Sequence, residues 1–123
     1  MGMNIYGAWV GFLLGCIAGV IPGLFFYNKE WLGGYASWQR RMIRLGHISF
    51  FGLGFLNLLF AFTVRHLSID TGIIIPSVLL VIGLYSMPAV CYLAAWKPFF
   101  RHLFFIPALS VIMSIILFLG RII

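Results

Sequence analysis

Between two arginines, Arg44 and Arg65, the chain reads LGHISFFGLGFLNLLFAFTV (Leu45–Val64), twenty residues without a formal charge. At ~1.5 Å of rise per residue such a helix is ~30 Å long, the thickness of a bilayer's hydrocarbon core. Three more charge-free stretches match it in length: before Lys29, between Asp70 and Lys97, and between Arg101 and Arg121. The spacing predicts helices near 5–27, 41–64, 72–96 and 102–120. They form a single transmembrane domain over 1–123, an antiparallel up-down bundle of four transmembrane helices with short connections.

Composition agrees with that reading. Of 123 residues 63% are hydrophobic and 8% charged, against about half and about a quarter in a soluble domain. Water cannot cover that much apolar surface, whereas lipid accepts apolar side chains all round a helix. The formal charge of +6 does not point to nucleic acid, because the basic residues sit between apolar runs and form no basic face. Cys16 and Cys91 fall in different runs at different depths. They are expected as small core side chains with no disulfide between them. The segment before Lys29 lacks the positive start of a cleaved leader and is expected to stay as a mature helix.

Orientation follows from counting cations. Lys29, Arg40, Arg41, Arg44, Lys97 and Arg101 belong to the first and third connections, against Arg65 and Arg121 on the other side. The positive-inside rule makes connections 28–40 and 97–101 cytoplasmic and puts both termini opposite. Trp31, Trp38 and Trp96 then line the inner interface and Trp9 the outer one. Asp70 or Thr71 is placed to cap the third helix, which Lys97-Pro98 ends, while Pro22 and Pro88 are kink sites.

Gly7, Gly11, Gly15, Gly19 and Gly23 recur every fourth residue in the first helix. Such a strip lets a second backbone approach closely, which is how helices pack in lipid. Each step turns the strip by ~40°, so it suits contact with two successive neighbours. The neighbour is either the rest of the bundle or another subunit.

The most polar cluster opens the second helix, where Arg40, Arg44 and His47 share a face and Arg41 adjoins them. His102 follows Arg101 on the same side. Two histidines ringed by arginines can ligate haem b, with Arg40, Arg41, Arg44 and Arg101 pairing its propionates or, without haem, lipid phosphate. A histidine near the interface also serves simply as a hydrogen-bonded group. His66 lies outside this cluster, on the other side. Glu30, the one acid of the first connection, is expected to pair with one of its arginines. Asn57, Ser86, Ser110 and Ser114 are expected to bond between helices, with Ser86 or a neighbour satisfying the carbonyl that Pro88 frees.

No acid or base lies in the middle of a span, which argues against a proton-coupled exporter. HExxH, CxxC, GxSxG and phosphate-loop motifs are absent from the sequence. A non-catalytic accessory subunit of a larger membrane complex, docking through the glycine strip, is the leading expectation. Its partners would be other membrane subunits and anionic lipids at the cytoplasmic face, with no nucleic acid. A haem- or quinone-binding redox protein using His47 and His102 is the alternative, and self-assembly into a ring or pore a third reading.

Overall fold

The computed structural model describes residues 2–123. Four helices follow one another: α1 (Gly2–Gly23), α2 (Trp38–His66), α3 (Ile74–Trp96) and α4 (Phe105–Ile122). Each, α4 together with the 3₁₀ turn at Pro98–Phe104 before it, is long and apolar enough to cross a membrane. No strand occurs among the described residues.

The ends differ from expectation for local reasons. α1 begins at Gly2, not near residue 5, and stops at Gly23 although the next charge is Lys29. Pro22 lacks the N–H of a continuing ladder, and its own carbonyl takes both Phe25 N–H (2.9 Å) and Phe26 N–H (3.0 Å), closing the chain into turns. The turns continue through Gly33 and Gly34, at φ +86° and +96°, a region open to glycine. α2 starts at Trp38 because Ser37 Oγ accepts from Arg40 N–H at 3.2 Å. Neither Asp70 nor Thr71 caps α3. Ile73 occupies the cap position without a side-chain bond, and Gly72 before it is left-handed (φ +74°). Pro76 removes one donor that a cap would have served, and Thr71 accepts from Arg121 instead. Lys97-Pro98 ends α3 as expected, and Trp38 Nε1 donates at 2.7 Å to Ala94 O, the carbonyl that Pro98 cannot reach.

α3 is the central element, packed against α1, α2 and α4; α1 also packs along α2. α4 meets the rest chiefly through α3, and side chains bring Phe118 onto Phe60 of α2 at 4.8 Å between ring centroids. The apolar core gathers Phe60, Val64, Ile73 and Leu80. Cys91 is buried, as expected, but Cys16 is exposed, since it sits ~100° round α1 from the buried Gly15.

Candidate functional site

The glycine strip is occupied from within. A methyl group added at Gly7 would meet Tyr85 at 3.8 Å and at Gly11 would meet Leu84 at 3.3 Å, both side chains of α3. At Gly15 it would meet Phe51 at 2.8 Å and Phe50 at 3.0 Å, and at Gly19 the ring of His47, all on α2. The strip therefore turns from α3 to α2 as its ~40° step requires. Gly23 has nothing within 4 Å. Of the two neighbours expected for this strip, the rest of the bundle is the one observed: four of its five places face the chain's own side chains.

His47 is held by that arrangement. Its Nδ1 lies 2.8 Å from Gly15 O, and a carbonyl only accepts, so Nδ1 carries a proton and donates it there. Its ring also packs edge-on against Phe51. His102 is exposed on the 3₁₀ turn and stacks edge-on with Phe99; that turn packs on α3 and α4. None of the four main clefts is lined by both histidines. No group of three or more metal-ligating side chains occurs among the described residues.

The arginines divide their labour. Arg40, only 3% exposed, donates Nε–H to Trp31 O at 2.7 Å and a terminal N–H to Asn28 O, with its guanidinium 5.0 Å from the Phe26 ring centroid. It organises the loop. Arg44 donates to Tyr35 O at 3.0 Å and stacks over the Tyr35 ring at 4.2 Å. Arg41 is exposed beside Trp38, and exposed Arg101 donates to Pro98 O within its own turn. Glu30 does not supply the expected counter-charge: it is exposed, its backbone N–H goes to Asn28 Oδ1, and the guanidinium of Arg40 takes carbonyls instead. A non-helical loop leaves carbonyls without partners, and a planar five-donor guanidinium satisfies two at once.

Deep between α1, α2 and α3 lies a polar lock. Asn4 Nδ2 donates to Asn57 Oδ1 at 2.8 Å and to Ser77 O at 3.1 Å, while Ser77 Oγ donates to Asn4 Oδ1. Asn57 Nδ2 donates to Leu53 O at 2.8 Å and Leu80 O at 3.2 Å. Both amides, fully buried, use every N–H and have an occupied oxygen. Asn57 was legible as an interhelical donor. Asn4 lay ahead of the expected helix start, and nothing in the sequence sets Ser77 apart. Ser114 joins α4 to α3 through Pro76 O at 2.7 Å, as anticipated in kind. Ser110 instead bonds Ile106 O in its own helix. Ser86 does not satisfy the carbonyl freed by Pro88; its Oγ is buried without a partner, as is the Tyr92 hydroxyl. A serine reaches back three or four residues, whereas Leu84 O is only two away on the opposite side of the helix.

Between the end of α1 and the start of α2 a cleft of about 300 Å³ is lined by Ala18, Gly19, Pro22, Gly23 and Phe26 and, opposite, by Ile43, Arg44, His47 and Ile48. It is apolar except for Arg44 and His47.

Comparison with protein-family models, with curated proteins and with solved structures returns no match. The fold itself defines the class: a multi-pass integral membrane protein with four candidate membrane-spanning helices.

Proposed function

We propose that this protein is a non-catalytic accessory subunit of a larger membrane protein complex. The observation that carries the reading is where its polarity goes. Asn4, Asn57, Ser77 and Ser114 spend their donors on neighbouring helices, so no acid–base pair stands ready inside the spans. What the chain turns outward is apolar: Trp9, Leu13, Ile17 and Val20 on α1, and Leu109, Ile112 and Ile116 on α4. These outer faces, not the glycine strip, are where other membrane subunits would pack. By the distribution of lysine and arginine the connections 28–40 and 97–101 are cytoplasmic, with the termini opposite.

The test is native electrophoresis of membranes solubilised in mild detergent. The chain of 13.9 kDa should migrate within a larger assembly and release only under harsher detergent. Migration solely as a detergent-bound monomer overturns the proposal.

A further inference from the structure

We propose that the cleft between the end of α1 and the start of α2 binds an anionic phospholipid, its phosphate on Arg44 beside His47 and one acyl chain along Pro22 and Ile43. This goes beyond the accessory reading and does not depend on it. The cleft has the two-part chemistry of an amphiphile: its walls are Pro22, Gly23, Phe26 and Ile43, and its polar members, Arg44 and His47, stand one turn apart on the same helix. Arg44 spends one terminal N–H on Tyr35 O and has its guanidinium carbon 4.2 Å from the Tyr35 ring centroid, so the guanidinium is held from two sides with donors to spare. Phosphate is the group that a planar, oriented guanidinium recognises best at a bilayer surface.

Charge complementarity favours the same occupant. Arg40 is consumed by the loop, but exposed Arg41 adds its charge near Arg44, and the one acid of the connection, Glu30, points to solvent without closing on either. Arg44 also directly precedes the charge-free run 45–64, at the edge of the membrane-length apolar stretch. Gly23 leaves the space open: a methyl group added there meets no atom within 4 Å, and its φ is not in the left-handed region. Gly23 lines the cleft, so a larger residue there is the substitution chosen to occupy it.

That property makes the test. The full chain is reconstituted in bilayers of equal parts phosphatidylcholine and phosphatidylglycerol, extracted gently, and examined for retained lipid by native mass spectrometry. Wild type and Arg101→Gln should retain phosphatidylglycerol in preference to phosphatidylcholine. Arg44→Gln should lower retention about tenfold, and Gly23→Phe should lower it comparably with the arginine intact. Should Arg44→Gln fail to fold, Gly23→Phe decides alone. Equal retention by all four chains overturns the site, as does an Arg101→Gln loss as large as that of Arg44→Gln, which signals only diffuse charge. Water-soluble glycerol phosphate competing as well as the lipid also overturns it, since the acyl chain would then contribute nothing.

Discussion

Asn57 has its amide buried among Asn4, Leu53 and Leu80. Replacing it with leucine deletes three hydrogen bonds and leaves half of the Asn4 amide facing hydrocarbon. The expected cost is about 1–3 kcal/mol, near the upper range of measured interhelical bonds in membranes. Reversible unfolding in mixed micelles reads this directly. Replacing Asn4 as well should cost less than the two single changes added together, because a matched apolar pair leaves no stranded group; strict additivity would contradict the lock. Arg40→Lys keeps the charge but cannot span Trp31 O and Asn28 O together. Limited proteolysis should then cut the segment 24–37 several-fold faster, whereas unchanged cutting would mean that the loop is ordered by something else.

At the scale of single helices, the glycine strip yields a graded expectation. Gly15→Leu forces its side chain into Phe50 and Phe51, and Gly19→Leu displaces His47 from Gly15 O, so both should reduce the recovery of folded protein sharply. Gly23→Leu enters open space and should shift the melting temperature little, in keeping with changes that touch nothing. Equal damage at residues 15 and 23 would mean that the strip packs against something outside the chain. Helix positions were readable from the gaps between charges, because a membrane-length apolar run admits few other structures. The ends were not, since they depend on which carbonyl a proline orphans and which side chain arrives to fill it: Pro22 stops α1 early, and Trp38 reaches Ala94 across 56 residues. The strip was legible as a period, and its turn from α3 to α2 followed from helix geometry. The readings for Glu30 and Ser86 failed for one reason. Glu30 and Ser86 were assigned partners by charge and proximity in sequence, while carbonyls, which outcompete or evade them, leave no mark on a sequence.

Across the whole molecule the packing is uneven. α3 touches all three other helices, but α4 is held by Ser114 on Pro76 O of α3, by Arg121 on Thr71 in the connection before α3 and by apolar contacts, with most of its surface outward. Hydrogen exchange in micelles should find the amides of α4 opening at a lower free energy than those of α2 and α3. Uniform protection would indicate a bundle closed on all sides. The same unevenness leaves α4 the element whose outer face is most open to a partner, and added protection of α4 in the native assembly would locate that contact.

The lock between Asn4, Asn57 and Ser77 also bears on the order in which the protein is made. Chains emerge from the ribosome N-terminus first, so α1 enters the membrane carrying an asparagine whose second carbonyl partner, Ser77 O, is 73 residues away. α2 can answer only part of that need, and the amide is fully paired only when the first turn of α3 has been synthesised. The first two helices are therefore an unfinished unit, and nascent chains ending just short of residue 74 should stay beside the insertion machinery longer than chains that include α3. α4, by contrast, arrives onto a trio already complete, and its arrival should leave crosslinks between Asn4 and Asn57 positions unchanged.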